Sequence, residues 1–324
     1  MKIKEIISPV QNQLTEFEIA FNKRLHSNIP LAEKVVRYVA DKKGKRLRPM
    51  LVFLTAEMHG KSNEITSASS LVIELLHTAT LIHDDVVDDS NLRRGAPTVN
   101  NMWNSKISIL VGDFLFSKTL TSMVDMNSLE ALSILSDAAN KITEGELLQL
   151  DNDHLVGLNE SIYFDLISKK TASLFSASCQ LGTLSVTDDK IALKKMHLFG
   201  ENLGIAFQIT DDLLDYTGNE TKLGKPTGND IRENKITLPL IFSLAKAENK
   251  TRDFILSKFG NGTIEDKDVN YIINFARDYG GVDYSIQTAK TFAERANQIL
   301  TTYSESQANN SLKQLVQFSI DRDN

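Results

Sequence analysis

Hydrophobic residues recur with the period of an α-helix along most of this chain, and no segment keeps the alternation of a half-buried β-strand. The pattern predicts helices over residues 3–25, 31–41, 49–59, 65–89, 105–124, 128–150, 163–184, 190–216, 237–247, 267–279 and 282–302. The chain has only six prolines, and all of them lie at apparent boundaries. Pro49, for example, falls in the first turn of its predicted helix, where a missing N–H group costs nothing.

The predicted helix 65–89 is apolar on most of its sides between positions 67 and 88. A helix that is apolar all round is typically buried in the middle of a bundle. No low-complexity linker divides the chain, and no repeat of fixed period is present. We therefore predict a single all-α domain of many helices over residues 1–324.

Composition and charge narrow the class of protein. The net charge of −6 argues against a nucleic-acid partner, which would need a basic face. Cys179 is the only cysteine, so no internal disulfide forms and a reducing compartment is expected. The first residues lack the pattern of a signal peptide, and the most apolar stretch, 71–82, is too short to span a bilayer. We expect a cytoplasmic protein without a membrane span.

Two acidic motifs are the strongest chemical signal in the sequence. The pattern D-D-x-x-D occurs as Asp84, Asp85 and Asp88 and again as Asp211, Asp212 and Asp215, each time at the end of a long apolar helix. Positions i, i+1 and i+4 of a helix fall within an arc of roughly 100°, so three carboxylates converge on one side. Two like charges about 4 Å apart repel by roughly 4 kcal/mol at an effective dielectric of about 20. Hard oxygen ligands grouped in this way suit Mg²⁺, which also bridges to substrate phosphates.

Basic residues that could bind phosphate lie near these motifs. They comprise the run GKRLRP at 44–49, Arg93 and Arg94 just after the first motif, Lys169 and Lys170, and Lys225 and Lys235. Bidentate arginine contacts match the geometry of phosphate oxygens. The sequence has no phosphate-binding G-x-x-x-x-G-K-[ST] loop, no G-x-G-x-x-G turn and no G-x-S-x-G elbow.

Together these residues resemble the trans-isoprenyl diphosphate synthase family. The resemblance extends along nearly the whole chain, through GKRLRP (44–49), ELLHTATLIHDDVVDDSNLRRGAPT (74–98), GDFLF (112–116), EGELLQL (144–150), KKTASLF (169–175), GIAFQITDDLLDYTG (204–218), LGKPTGND (223–230), NKITLPLI (234–241) and GGVDYS (280–285). It implies a bundle of helices around a central cavity.

The resemblance also implies roles for individual residues. The first acidic motif and Arg93 would hold an allylic diphosphate through Mg²⁺, and the second motif, led by Asp211, would complete the metal cluster. Positions around the allylic diphosphate are matched by Lys170, Thr171, Gln208, Lys225 and Lys235. Positions that bind isopentenyl diphosphate are matched by Lys45, Arg48, His77 and Arg94, with Arg322 expected to help close that site.

The implied reaction is a 1′-4, head-to-tail, trans condensation of the two diphosphates. Diphosphate leaves the allylic substrate, the double bond of isopentenyl diphosphate attacks the resulting cation, and a proton is lost. Short-chain members carry a bulky aromatic residue about five positions before the first motif. This chain has Ala79 and Thr80 there, with Leu76 a turn deeper, which indicates a product of geranylgeranyl length or longer, such as a quinone side chain.

Three alternatives remain open at this point: a short-chain farnesyl or geranylgeranyl synthase, a class I terpene cyclase, and a non-catalytic subunit that regulates a partner synthase. A cyclase would not need a second diphosphate site, and a silent subunit would be expected to lose motif residues. The family usually forms homodimers, so a homodimer is expected.

Overall fold

The computed structural model describes residues 3–42, 44–93, 95–151, 159–218, 227–260 and 264–321, and these are overwhelmingly helical. The helices are α1 (Ile3–Ile6), α2 (Gln11–Leu25), α3 (Pro30–Asp41), α4 (Leu47–His59), α5 (Glu64–Val87), α6 (Val99–Met102), α7 (Ser105–Asp125), α8 (Leu129–Asp151), α9 (Glu160–Ile167), α10 (Ser173–Leu184), α11 (Lys190–Thr217), α12 (Asn229–Arg232), α13 (Leu238–Lys246), α14 (Asn249–Leu256), α15 (Asp266–Asp278), α16 (Gly281–Leu300) and α17 (Gln307–Ile320). A 3₁₀ turn spans Ser8–Val10, and a π-helical turn spans Ser168–Ala172. The predicted all-α class is confirmed.

A short hairpin is the only extended pairing in the described residues. Strands β1 (Leu92–Arg93) and β2 (Ala96–Pro97) run antiparallel, with Leu92 opposite Pro97 and Arg93 opposite Ala96. Gly95 has φ +73° in the turn, a conformation that side chains with a Cβ rarely adopt. The hairpin directs the chain back toward the end of α5.

Helix α5 shows why the sequence pattern predicted its ends well. Asn63 accepts the backbone N–H groups of Ile65 and Thr66 at 2.9 and 3.0 Å, and Thr66 accepts the N–H of Asn63, which completes a capping box. At the other end Asp88 is the C-cap residue, and its N–H donates to the carbonyl of Asp84. The first acidic motif therefore lies at the C-terminus of a long buried helix, as predicted.

Several predicted helix boundaries were wrong. The predicted helix 3–25 is divided by the turn that holds Pro9, because proline lacks the N–H needed inside a helix. The predicted helix 163–184 is interrupted by the π-helical turn. Helices α14 and α17 were not predicted.

The chain divides into two compact units. The first contains Met1–Ala139, Leu174–His197 and Tyr303–Lys313, and the second contains Asn140–Ser173, Leu198–Thr302 and Gln314–Asn324. In the first unit α5 packs against α4 and α7. In the second unit, α13 packs against α15 and α16 over a core that includes Tyr163, Ile209, Leu240 and Ile272. The single domain over 1–324 stays a prediction.

Glu33 stabilises the link between α2 and α3. Its carboxylate accepts the backbone N–H of Ser27 at 2.8 Å and lies 2.5 Å from Arg37 Nε and 3.0 Å from His26 Nδ1. The Ser27 hydrogen bond, with help from Arg37 and His26, lowers the pKa of Glu33 to about 2.

Two helices in the described part of the chain, α5 and α7, are long and apolar enough to cross a membrane by length and composition. Most of the apolar window in α5 is buried inside the protein, as in the core helix of a bundle. Helix α7 is more exposed and carries apolar side chains at its surface, among them Leu110, Phe116, Leu120 and Val124.

Candidate active site

The three carboxylates of the first acidic motif lie in different environments. Asp84 and Asp88 are partly exposed and four residues apart on one side of α5, whereas Asp85 is buried. Asp85 Oδ1 accepts a hydrogen bond from Arg93 Nε at 2.6 Å. Arg93 reaches Asp85 because the β1–β2 hairpin turns the chain back toward α5. The structure thus brings Arg93 to the motif, as the sequence predicted, while Arg94 lies outside the described residues.

Two of the residues predicted to bind isopentenyl diphosphate meet in the first unit. Arg48 Nη1 lies 2.9 Å from His77 Nε2, and the Arg48 guanidinium lies over the ring of Phe175 at 5.0 Å. Arg48 is in the first turn of α4, and His77 is in the middle of α5. Lys45 is exposed two residues before α4 begins. Arg322 lies outside the described residues.

A cavity in the first unit joins His77 to the acidic motif. Its lining includes His77, Asp85 and Arg93 together with Arg46 and Glu74. Sequence reasoning included Arg46 only as part of the basic run GKRLRP, and it did not select Glu74. The available signal for Glu74 was a charged residue within the apolar stretch of its helix.

The residues predicted to control chain length lie on α5, one to two turns before the first motif. Ala79 and Leu76 are buried, with 1% and 2% of their surface exposed, and Thr80 is partly exposed. The Thr80 hydroxyl donates to the carbonyl of His77 at 3.0 Å. Their role in chain length stays a prediction.

The second acidic motif, in the second unit, is also divided by burial. Asp211 is exposed, but Asp212 is buried, and its two carboxylate oxygens accept hydrogen bonds from Gln208 Nε2 at 2.8 Å and from the Tyr163 hydroxyl at 2.6 Å. Burial raises the pKa of Asp212 to about 7, and the two hydrogen bonds oppose this change.

Asp215 holds the start of helix α12. Its carboxylate accepts the backbone N–H groups of Asn229 at 2.9 Å and Asp230 at 2.7 Å. Gly228, the N-cap residue, has φ +80° and has no side chain to cap the helix, so Asp215 supplies the acceptor from elsewhere in the chain. Burial raises the pKa of Asp215. Asp212 and Asp215 were predicted as metal ligands, and both make hydrogen bonds to protein groups.

Lys170 and Thr171 lie on the π-helical turn, a local structure often found at functional sites. Lys170 Nζ donates to Glu146 Oε2 at 2.8 Å and to Gln149 Oε1 at 3.0 Å, both on α8. The Thr171 hydroxyl donates to Gln208 Oε1 at 2.7 Å. A continuous chain of hydrogen bonds therefore connects Thr171 to Gln208 and, through Gln208, to Asp212.

A cavity in the second unit gathers the predicted residues Lys170, Thr171, Gln208, Asp212 and Lys235. Its lining also includes Gln149, which was expected to face the metal site, and two residues that sequence reasoning did not select, Tyr163 and Asp230. Gln149 and Asp230 stand inside the quoted segments EGELLQL and LGKPTGND, so the resemblance contained a signal for them. Tyr163 had none, because its importance comes from a contact with a residue 49 positions away. Lys225 lies outside the described residues.

The donor chemistry fits a divalent cation that is shared with substrate. No group of three or more His, Cys, Asp or Glu side chains is arranged to hold a metal among the residues that the structure describes. Mg²⁺ is usually bound through one or two carboxylates, with waters and substrate phosphates completing its shell. Asp84 and Asp88 in the first unit and Asp215 in the second are partly exposed, Asp211 is exposed, and only Asp85 and Asp212 are buried.

Comparison with known proteins identifies the family. The family model for polyprenyl synthetase matches residues 29–276. The all-trans-nonaprenyl-diphosphate synthase (geranyl-diphosphate specific) of Rhodobacter capsulatus is 36% identical over 321 residues, which cover 98% of each chain. The octaprenyl diphosphate synthase of Escherichia coli K12 is 33% identical over 325 residues, covering 100% of both chains.

A solved structure agrees with these relatives. The polyprenyl synthase of Caulobacter crescentus CB15, complexed with calcium and isoprenyl diphosphate, superposes with a TM-score of 0.94 at 33% identity and covers 99% of this chain and 98% of its own. The family recognised from the motifs and the prediction of a prenyltransferase enzyme are therefore confirmed. This chain belongs to the polyprenyl synthetase family of prenyl diphosphate synthases.

Proposed function

We propose that the protein condenses an allylic diphosphate with isopentenyl diphosphate, with Mg²⁺ as its metal, to give an all-trans polyprenyl diphosphate of geranylgeranyl length or longer. The observation that carries the proposal is the presence of two separate sets of phosphate-binding groups, one in each unit. Arg48 and His77 belong to the first set, and Lys170 and Lys235 belong to the second. A terpene cyclase needs only one diphosphate site, and in a silent subunit the motif residues would be expected to be lost.

In this proposal the residues divide by task. Asp84, Asp88 and Asp211 would hold Mg²⁺, which supplies Lewis-acid stabilisation of the departing diphosphate. Arg93, Lys170 and Lys235 would bind the allylic diphosphate, with Lys225 as a further cation. Lys45, Arg48, His77 and Arg94 would bind isopentenyl diphosphate.

The chemistry requires little proton transfer by the protein. The C–O bond of the allylic diphosphate breaks, and the double bond of isopentenyl diphosphate forms a new C–C bond with the cation that remains. The proton lost in restoring a double bond is taken by the released diphosphate. The basic side chains stabilise charge as it develops on the leaving group, which is electrostatic catalysis. Buried apolar side chains of α5, such as Leu76 and Ala79, would keep water from the cation.

Asp85, Asp212 and Asp215 have a different proposed task, because their oxygens bind protein donors. Asp85 orients Arg93, Asp212 orients Gln208 and through it Thr171, and Asp215 holds the start of α12. They would position the groups that contact diphosphate rather than ligate metal themselves.

One incubation tests the main proposal. Purified protein is mixed with Mg²⁺, isopentenyl diphosphate and, separately, geranyl, farnesyl or geranylgeranyl diphosphate, and the hydrolysed alcohols are sized by reversed-phase chromatography. We expect products of 20 carbons or more with isopentenyl diphosphate, no product without it, and no product after the metal is removed with a chelator. A cyclic hydrocarbon formed without isopentenyl diphosphate would establish the cyclase instead.

The length of the product is tested at Ala79. Ala79→Phe should shorten the product, because a phenyl ring at this buried position of α5 fills the path of the growing chain. Ala79→Met tests the same path with a smaller, more adaptable side chain, and Thr80→Val serves as a control of unchanged size. An unchanged range of products from both Ala79 variants would remove this position from the wall of the path.

We also propose a cytoplasmic homodimer without a membrane span. The exposed apolar side chains of α7 support the dimer: Leu110 is 60% exposed and Val124 is 72% exposed, on a helix that is otherwise packed against α5. Light scattering after size exclusion should give twice the mass of 36.1 kDa for the wild type. Leu110→Glu should give a monomer, whereas Ile191→Glu, at an equally exposed apolar position outside α7, should leave the dimer intact. Cell fractionation should find the protein in the soluble fraction.

A further inference from the structure

Helix α4 begins at a residue whose backbone is held in an unfavourable conformation. Arg46, the N-cap residue, has φ 52° and ψ 38°, in the left-handed region that residues with a Cβ rarely adopt. Its side chain does not cap the helix. Such a conformation persists only where surrounding contacts hold it in place.

Those contacts are two carboxylates and an aromatic ring. Arg46 Nε lies 2.7 Å from Glu18 Oε1, and Arg46 Nη1 lies 2.6 Å from Glu74 Oε1. The guanidinium also lies over the ring of Phe21 at 4.7 Å. The side chains of Arg46 and Glu74 are only 13% and 7% exposed, so the ions are largely removed from water. Burial acts to lower the pKa of Arg46, but the two carboxylates more than offset it and the pKa is raised.

The cluster is directly joined to residues proposed to bind isopentenyl diphosphate. Lys45 precedes Arg46, and Arg48 follows it by two positions. Glu74 lies one turn before His77 on α5, so the two side chains share a face of that helix. Two connections therefore link the start of α4 to α5: the ion pair of Arg46 with Glu74, and the contact of Arg48 Nη1 with His77 Nε2 at 2.9 Å. Three of these side chains, Arg46, Glu74 and His77, line the cavity of the first unit.

The charge of the cluster argues for positioning rather than direct binding of a diphosphate. Two carboxylates and one guanidinium have a formal charge of −1, and Arg46 Nε and Nη1 both donate to carboxylates. Buried ion clusters can often be replaced by apolar residues without loss of stability, so stability alone is a weak reason for one. A cluster that fixes the geometry of neighbouring cations has a reason to be charged.

We infer that Glu18, Arg46 and Glu74 are positioning residues that hold Lys45, Arg48 and His77 in the arrangement that binds the diphosphate of isopentenyl diphosphate. The inference rests on the proposed function, because it takes Lys45, Arg48 and His77 as the binding site for isopentenyl diphosphate. The cluster does not itself contact substrate, and it acts by fixing where α4 begins relative to α5.

The test is a comparison of the two Michaelis constants in Glu18→Gln, Glu74→Gln and Arg46→Lys. Each glutamine variant keeps nearly the same shape and removes one ion pair, and Arg46→Lys keeps the charge but weakens both pairs. We expect KM for isopentenyl diphosphate to rise by about 10- to 100-fold, since misplacing a binding group by about 1 Å has effects of this size. KM for the allylic diphosphate should stay within about twofold, because Lys170 and Lys235 lie in the second unit and Arg93 is held by Asp85 rather than by the cluster. Binding of isopentenyl diphosphate alone, measured by titration calorimetry, should weaken in parallel.

Glu130→Gln is the matched control. It removes an ion pair of the same unit, with Lys190 Nζ 2.6 Å from Glu130 Oε1, at an exposed position away from Arg46. Both KM values should be unchanged in this variant. Glu18 is the most exposed member of the cluster, at 24%, so Glu18→Gln decides the question if a variant of the more buried residues does not fold.

Failure of the inference and failure of the proposed function give different results. If the variants melt at a lower temperature and lose kcat while both KM values stay at the wild-type level, the cluster is only structural and the inference is overturned. If the wild-type protein does not consume isopentenyl diphosphate at all, the proposed function fails first.

Discussion

Replacing Gly112 with alanine tests the close contact between α5 and α7. A Cβ added at Gly112 would lie 2.2 Å from His83 Nε2, 2.4 Å from His83 Cδ2 and 2.9 Å from His83 Cε1. Real contacts to a Cβ are rarely shorter than about 3.4 Å, so the overlap exceeds about 1 Å at the nearest atom. His83 immediately precedes the first acidic motif, so this contact helps to fix the end of α5 that carries the motif against α7.

The expected effect is a balance of two known quantities. Replacing glycine with alanine inside a helix stabilises a protein by about 1 kcal/mol, because the unfolded chain has less freedom to lose. Forcing extra atoms into a packed contact costs about 1–3 kcal/mol. The His83 side chain is 37% exposed and its imidazole can rotate away, so the clash should cost about 2 kcal/mol. Gly112→Ala should therefore destabilise the protein by about 1 kcal/mol.

A double-mutant cycle with His83→Ala separates the two effects. Without the imidazole the clash is absent, so Gly112→Ala in the His83→Ala background should stabilise by about 1 kcal/mol. The expected coupling energy is about 2 kcal/mol. His83 also contacts the carbonyl of Ile109 and Asp113. These contacts are absent from both His83→Ala and the double variant, so their loss cancels when the stabilities of those two proteins are compared.

Urea unfolding followed by far-ultraviolet circular dichroism measures all four proteins. The sign of the change is the decisive quantity, because the contact predicts opposite signs in the two backgrounds. If Gly112→Ala stabilises the protein equally with and without the imidazole, the ring does not occupy this position and the packing of α5 on α7 described here is refuted.

Three further predictions follow from contacts in the two units. Gly182→Ala should destabilise the protein by about 3 kcal/mol in urea unfolding, because its Cβ would lie 2.1 Å from the carbonyl oxygen of Val52, which cannot rotate away; an unchanged midpoint would contradict this close approach. Glu33→Gln should lower the urea midpoint at pH 7, because the ionised carboxylate is stabilised in the folded protein. The difference from wild type should shrink as the pH falls from about 4.5 toward about 2, where Glu33 becomes protonated in the folded state as well; a difference that is constant with pH would refute this. Glu146→Gln should raise KM for the allylic diphosphate about tenfold with KM for isopentenyl diphosphate unchanged, because Lys170 loses a charged hydrogen-bond partner at 2.8 Å; equal changes in both constants would assign Glu146 a merely structural role.

Local sequence determined much of this protein. The helical period and the prolines at boundaries predicted the all-α class and most of the long helices, because these signals depend on residues within about four positions of one another. The order and spacing of the motifs were sufficient to identify the family. They also marked Arg93 as a partner of the first acidic motif, since a tight turn at Gly95 is itself a local feature.

Only the tertiary structure decided which member of each motif does which task. Asp211 and Asp212 are neighbours with the same side chain, yet one is exposed and the other is buried against Tyr163, 49 positions away. Burial by distant segments cannot be read from two identical letters.

The same limit applies to the basic run before α4. Arg46 and Arg48 look alike in sequence, but Arg46 is enclosed by Glu18 and Glu74, each 28 positions away, while Arg48 contacts His77. Local patterns set which residues are available and which helix face they occupy. The partner of each charged side chain depends on how separate helices pack. Because electrostatic interactions are stronger in the low dielectric of the packed interior, that partner determines the role of the side chain.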